Sequence, residues 1–350
     1  MKLTYKTFLL EFKHPFGVSS NTRKETPTIF IQLELNDFKG YGEACLPVYL
    51  GETTHEALSF LEKAKMVLEK ITAVDDLSKL IVEINLLDKN NNAAKAAIDI
   101  ALHDLVGKIK KQAVWQLYDL PEVLPRATSL TIGIDKEEVL IQKIKEAEEF
   151  SILKIKAGTD NDKDLIQLIR RYTRKPLYVD VNQGWKDKER VLDMMFWLKE
   201  QNVILVEQPM PVEMKKEMTW VTERSPIPTI ADESVKRLKD LQALNGEFSG
   251  VNIKLMKCTG ISEALKMIDY CKKNKQLVLL GCMAESSCAT SAMAQLMGYA
   301  DYIDLDAPLL YKNDPFEGVK YKNGYVFLSD RPGIGLEPKK DPEIIWSDNL

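Results

Sequence analysis

The sequence predicts an α/β protein whose larger part is a barrel of parallel strands, preceded by a smaller unit of antiparallel strands and helices. Three observations carry this. After Pro121 and Pro125, eight short apolar runs alternate with charged stretches of helical period, as expected when each strand is covered by the helix that follows it. The polar residues closing five of those runs, Lys156, Asp180, Glu207, Asp232 and Lys254, are separated by 24, 27, 25 and 22 residues, the length of one strand-plus-helix unit. No G-x-G-x-x-G follows the first of these strands, which removes the main support for a doubly wound open sheet.

The elements read in order as follows. Leu3–Phe12, Thr28–Leu35 and Gly40–Ala44 read as strands of an antiparallel meander, with Asn36-Asp37 as a turn. Between the first two lies a polar loop over 13–27 containing Gly17, Ser19, Ser20, Arg23 and Lys24, and a second loop spans 46–52. Loops of that length on a rigid sheet tend to carry function. Stretches 54–87 and 93–110 read as helices; the second sets Ala94, Ala97, Ile98, Ala101, Leu102 and Leu105 at spacings of three and four and is alanine-rich enough to pack closely. His103 within it reads as a hydrogen-bonded helix residue. The barrel strands are read at 128–132, 152–156, 177–181, 203–206, 229–231, 250–253, 277–280 and 302–305. Beyond them, Asn323-Gly324 is a two-residue hairpin signal, and the tail is expected to return to the N-terminal unit.

Composition excludes several classes. A net charge of −4 offers no field for nucleic acid, and 45% hydrophobic residues supply an ample core. Five cysteines, odd in number and without a C-x-x-C pair, read as reduced thiols of a cytoplasmic protein. The first residues read as a strand instead of a signal segment, and no run of about 18 apolar residues suggests a membrane span.

The strand ends carry the chemistry. Lys154 and Lys156 leave the same face of one strand, and two crowded ammonium groups on an apolar background disfavour protonation of both, so at least one is expected to be a neutral base. Taken alone, the stretch also fits an edge strand with two solvated lysines. Asp180, Glu207 and Asp232 close three adjacent strands. Carboxylates gathered at one dry rim need a cation, and oxygen-only ligation suits Mg²⁺; a helix N-cap is the alternative for any one of them. Lys254 closes the sixth strand, four away from the second, so Lys156 and Lys254 face one another across the mouth. Two bases on opposite sides of one carbon are what inversion of a stereocentre requires. Asp304 and Asp306 share a face at the end of the eighth strand and invite a cationic group such as a free amine, although a helix cap or a hinge before Pro308 also fits them.

Lys154-Ile155-Lys156, Asp180-Val181-Asn182-Gln183-Gly184-Trp185, Val206-Glu207-Gln208-Pro209, Ala231-Asp232-Glu233-Ser234, Asn252-Ile253-Lys254 and Asp304-Leu305-Asp306 together resemble the enolase superfamily, muconate-lactonizing subgroup, and within it the dipeptide epimerases of the L-Ala-D/L-Glu epimerase type. The resemblance runs through essentially the whole chain. It implies an α+β capping domain, 1–118 completed by about 330–350, over a modified TIM barrel, (β/α)₇β, at 119–329. It implies Mg²⁺ on Asp180, Glu207 and Asp232, Lys156 and Lys254 as paired acid/base residues, Lys154 as their electrostatic neighbour, and Asp304 and Asp306 on the substrate's α-ammonium. A lysine base working with Mg²⁺ is general to that superfamily. The implied reaction inverts the α-carbon of the C-terminal residue of a dipeptide. Arg23 and Lys24 resemble the place where related epimerases set a cation against a substrate side-chain carboxylate, which favours Glu or Asp as the second residue, although two basic residues of an exposed loop also fit a simply solvated surface. Glu285 and Cys282 follow the seventh strand and are expected to line the amino-terminal side of the pocket, with Cys282 equally a packing residue. The expected partner is a small dipeptide, without nucleic acid or membrane, and a homo-oligomer is left open. The rivals are o-succinylbenzoate synthase and N-acylamino acid racemase, which share the metal and lysine set but whose substrates Asp304 and Asp306 would repel. A barrel that binds Mg²⁺ or a peptide without turning it over predicts a missing base or ligand, and none is missing.

Overall fold

The computed structural model describes residues 1–18, 21–46, 50–74, 76–133, 135–339 and 346, with backbone alone for 15–18 and 21–22. Three antiparallel strands open the chain, β1 (Lys2–Val18), β2 (Asn21–Leu35) and β3 (Phe38–Cys45), with β2 central. The expected loop over 13–27 is therefore mostly strand. Pairing continues through Phe16 with Arg23 and Val18 with Asn21, after a register shift between Glu11 and Phe16. Lys13, His14, Lys24 and Glu25 are exposed there. The stretch is mostly polar and shows no apolar alternation to read. Ser19, Ser20, three residues of the second expected loop and, in the tail, 340–345 and 347–350 lie outside the described residues.

The single helix expected over 54–87 is two helices, α1 (Thr54–Leu68) and α2 (Leu77–Leu86). Thr53 and Glu56 form a capping box at the first start, and Asp76 accepts from the Lys79 N–H to start the second. The third helix, α3 (Asn92–Lys110), is buried continuously from Ala93 to Gly107. Its alanines let it meet β3 backbone to backbone: a Cβ added at Gly42 would stand 2.0 Å from the Ala97 carbonyl oxygen. His103 is a hydrogen-bonded helix residue as read, between the Asp99 carbonyl at 2.7 Å and the Tyr118 hydroxyl at 2.6 Å.

After a two-residue strand β4 (Arg126–Ala127) come eight parallel strands in chain order: β5 (Ser129–Ile132), β6 (Ile152–Lys156), β7 (Leu177–Asp180), β8 (Val203–Glu207), β9 (Thr229–Ala231), β10 (Gly250–Ile253), β11 (Leu277–Gly281) and β12 (Tyr302–Asp304). Each boundary lies within one residue of its expectation. Helices follow β5 through β11, whereas β12 is followed by the 3₁₀ turn Ala307–Leu310, so the barrel is (β/α)₇β. Side chains join its ends: Ser129 Oγ donates to Asp304 Oδ1 at 2.6 Å, the Thr131 N–H to Asp306 Oδ2 at 2.6 Å and the Leu305 N–H to Thr128 Oγ1 at 2.9 Å.

Side chains alternate along each strand, and this sets the floor of the mouth. Tyr178, Leu205, Ile230 and Leu279 pack together inside the barrel. Two residues further along the same strands come Asp180, Glu207, Asp232 and Gly281, one layer nearer the mouth. Gly281 is small by necessity, since a Cβ there would meet Asn252 Oδ1 at 2.4 Å.

The Asn323-Gly324 hairpin forms as read, joining β-strands Lys320–Lys322 and Tyr325–Phe327. The chain then reaches α3, where the Ile334 N–H donates to Asp104 Oδ1 at 3.0 Å. The N-terminal unit is also fastened to the barrel by Glu43 of β3. Its carboxylate accepts from the Ser286 and Ala289 N–H groups and from Ser286 Oγ at 2.7 Å, at the start of the helix Ser287–Ala294. Among the described residues no helix is long and apolar enough to cross a membrane.

Candidate active site

Lys156, Asp180 and Glu207 form one row of the sheet, directly paired across β6, β7 and β8. Asp232 follows β9 and Lys254 follows β10. All the sequence-predicted acids at these ends are buried, with Asp180, Glu207, Asp232, Asp304 and Asp306 between 0 and 3% exposed.

Lys154 stands among three of them. Its Nζ is 2.7 Å from Asp304 Oδ2 and 3.0 Å from both Asp180 Oδ2 and Glu207 Oε2, above the ring of Tyr178. Burial alone would lower its pKa, but Asp180, Asp304 and Glu207 outweigh it and hold the ammonium well above the ordinary lysine value. The expectation that crowding would neutralise a lysine therefore fails at Lys154: its nearest charges are carboxylates, and it is a fixed cation. Lys156 bonds Asp180 Oδ2 at 2.7 Å and Asn182 Oδ1 at 3.2 Å. Lys254 bonds Asp232 Oδ2 at 2.8 Å. In the eight-strand order β6 and β10 are four apart, so these two amines come from opposite walls and end on different acids.

The acids differ according to their partners. Burial pushes Asp180 up, but Lys154 and Lys156 hold it well below the usual range; burial does the same to Asp232, and Lys254 and Lys257 hold that group down. Glu207 is pushed up to about 7 by burial and then by Asp180, although Asn252 Nδ2 donates to it at 2.6 Å and the Tyr178 hydroxyl also bonds it. Glu233 is likewise raised to about 7 by burial and then by Asp232, and its buried Oε2 has no hydrogen-bond partner among the described residues.

Asp304 and Asp306 are less available than the sequence suggested. Asp304 is taken up by Lys154 and Ser129, and Asp306 by the Thr131 N–H; burial and then Asp304 raise Asp306 to about 6. Cys282 is buried, its thiol donating to the Asp304 carbonyl at 3.1 Å. Both carboxyl oxygens of Glu285 are buried, and burial followed by Glu43 raises this group to about 8 against the opposing pull of the Met283 main chain and Lys254. Arg23 is half-buried on β2, and its charge reaches Cys45 and Tyr311.

Sequence reasoning passed over Tyr178, Asn252 and Lys257. Tyr178 lies two residues before Asp180 and Asn252 two before Lys254, so the period of two would have placed both on the inner face. Lys257 is fully buried on the turn after β10 and bonds Asp232 Oδ1 at 2.6 Å.

No three His, Cys, Asp or Glu side chains among the described residues converge as a ready ligand set, since lysines occupy the facing oxygens of Asp180 and Asp232. The donor chemistry nevertheless fits a hard divalent cation. Six carboxyl groups (Asp180, Glu207, Asp232, Glu233, Asp304, Asp306) face four ammonium groups (Lys154, Lys156, Lys254, Lys257), which leaves two negative charges. Burial first, and this surplus after it, keep Glu207 and Glu233 high, and the Glu233 Oε2 is left without a partner among the described residues.

A barrel of this topology with carboxylates at the ends of three successive strands and lysines on opposite walls defines a class, and the comparisons agree. Residues 4–118 match the mandelate racemase / muconate lactonizing enzyme N-terminal domain, and 138–342 match the enolase C-terminal domain-like family. The chain belongs to the mandelate racemase / muconate lactonizing enzyme family, as its motifs implied. It is 45% identical over 337 residues to an L-Ala-D/L-Glu epimerase of Bacteroides thetaiotaomicron, covering 96% of this chain and 88% of the relative. It is 34% identical to an L-Ala-D/L-amino acid epimerase of a Maribacter species, covering 96% and 99%. Its fold is similar to that of a dipeptide epimerase from Enterococcus faecalis complexed with Mg and the dipeptide L-Leu-L-Tyr, with a TM-score of 0.89 and 28% identity, covering 96% and 99%.

Proposed function

We propose that this chain is a Mg²⁺-dependent dipeptide epimerase that inverts the α-carbon of the C-terminal residue by 1,1-proton transfer between two lysines, with Ala-Glu as the favoured substrate. The observation that carries this reading is the approach of Lys156 and Lys254 from opposite walls to Asp180 and Asp232, at 2.7 and 2.8 Å. A neutral amine on one face of the α-carbon takes its proton into the Nζ lone pair and becomes an ammonium, and the ammonium on the other face gives one up and becomes an amine, so the centre inverts.

Asp180, Glu207 and Asp232 would hold the cation, which when bound supplies positive charge against the substrate carboxylate as the α-proton leaves. Lys154 adds a fixed positive charge from this chain at the same place, where it opposes charge that grows toward the transition state. Asp306, with Asp304 behind it, would take the substrate's α-ammonium. Arg23 would face the side-chain carboxylate of the second residue, and Glu285 and Cys282 would line the amino-terminal side. On the same footing, 1–118 with 330–350 forms the cap and 119–329 the barrel, and five buried unpaired cysteines support a cytoplasmic setting.

Proton NMR in D₂O tests the reading. With Mg²⁺ and L-Ala-L-Glu, the α-proton signal of Glu should decay as the epimer appears. Lys156→Ala and Lys254→Ala should each lose epimerisation by at least about 10³-fold, while each still exchanges the α-proton of one opposite stereoisomer. A variant that epimerises at near the wild-type rate removes the two-base mechanism.

A further inference from the structure

Lys257 has no part in the reaction described above. It lies three residues after Lys254, in the single helical turn Leu255–Cys258, and none of it is exposed. A buried ammonium is costly unless every proton finds an acceptor. Here all three do: Asp232 Oδ1 at 2.6 Å, the Asp232 main-chain carbonyl at 2.7 Å and the Asn252 main-chain carbonyl at 2.8 Å. Those carbonyls lie at the ends of two adjacent strands, β9 and β10. Asn252 in turn donates its side-chain amide to Glu207 Oε1 at 2.6 Å. One cation thus fixes Asp232 directly and Glu207 through Asn252, two of the three acids assigned to the metal. With Oδ1 taken, Oδ2 is the oxygen of Asp232 that Lys254 meets at 2.8 Å.

Building on the metal reading of the trio, we propose that Lys257 is a positioning residue for the cation site. It makes Asp232 a one-oxygen donor and holds the ends of β9 and β10 at the separation that site needs. The bland alternative is charge balance: an ammonium placed there to neutralise a buried aspartate. The two differ in sign. Removing a mere counter-charge beside a carboxylate tightens the binding of an added cation, whereas removing a clamp loosens it.

Isothermal titration of Mg²⁺ into the substrate-free protein separates them, with thermal melts as a control for folding. The expected result is a Kd for Lys257→Met at least about tenfold weaker than wild type. A Kd equal to or tighter than wild type overturns the proposal. Absence of Mg²⁺ binding by the wild-type chain would instead defeat the metal reading, and this inference with it. If Lys257→Met does not fold, Lys257→Arg keeps the charge but cannot direct a planar fork onto the same three oxygens, and it should show the same weakening. Failure of both variants to fold at saturating Mg²⁺ would assign Lys257 to the fold and also overturn the proposal.

Discussion

Each of two opposite walls of the barrel mouth carries a pair of lysines, and in each pair one member is locked and the other faces the opening. On β6 the pair is Lys154 and Lys156, two apart along a strand; beyond β10 it is Lys257 and Lys254, three apart across the start of a helical turn. The side chains of Lys156 and Lys254 are 13% and 7% exposed, those of Lys154 and Lys257 4% and 1%. The locked members are held differently. Lys154 meets three carboxylates, and burial fails to lower its pKa; Lys257 meets one carboxylate and two carbonyls, and burial does lower it. Similar positions on opposite walls therefore serve as counter-charge on one side and as clamp on the other.

Lys154→Met should break that comparison most severely. Epimerisation should fall by about 10²–10³-fold, the scale of losing one preorganised group that stabilises developing charge. The metal-free protein should lose about 3–5 kcal/mol, because three buried acids lose a shared partner. Mg²⁺ binding should tighten, the reverse of Lys257→Met. Calorimetry and denaturant melts read both effects, and a matching change of Mg²⁺ affinity in the two variants would erase the distinction between the walls.

A smaller effect is expected at Arg23. It stands half-buried on β2, its charge reaching Cys45 and Tyr311, and it bonds none of the lysines or acids of the strand ends in any contact described above, so Arg23→Gln should act on selectivity. The kcat/KM for L-Ala-L-Glu should drop about 10- to 100-fold, the scale of one charge-assisted hydrogen bond, while L-Ala-L-Leu changes little. An equal loss on both dipeptides would take Arg23 out of substrate selection.

Most of the barrel was legible because one constraint repeats: an apolar run, a polar end and a covering helix within about 22–27 residues. The acids and outer lysines were legible for the same reason, each closing a run. What was misread depended on partners distant in sequence. Lys154 was judged by Lys156, its neighbour on the strand, although one of the acids that holds it charged, Asp304, lies 150 residues further on. Lys257 sits in the apolar turn Leu255–Cys258, closes no strand and so falls outside the repeated pattern; its acceptors, Asp232 and the Asn252 carbonyl, meet it only where β9 and β10 come together. The hairpin at 13–27 hid because its mostly polar sequence has no apolar alternation, and the break between α1 and α2 because apolar spacing continues across it. Asp76 was the available signal there, a side-chain N-cap inside a helical pattern.

The smallest effect sharpens the β10 side, where a second acid stands near Lys254. Glu285 is buried, repelled by Glu43 and eased by the Met283 main chain and by the charge of Lys254. Its folded pKa of about 8 lies above the ordinary 4.5, so the folded chain keeps a proton there that the unfolded chain gives up. The stability tied to that proton is complete below pH 4.5 and is lost as pH rises through 8. Glu285→Gln stays neutral throughout. Its denaturant stability should match wild type near pH 5 and exceed it at pH 9, by on the order of 1–3 kcal/mol after local relaxation. Glu43, raised to about 7 by burial, titrates with the same sign in both proteins, and loss of the Glu285 charge lets it ionise more easily in the variant, which widens the gap further. Melts at the two pH values decide it: a difference that does not grow with pH would mean that Glu285 is already ionised in the folded protein, and that the β10 wall carries one more fixed negative charge beside Lys254.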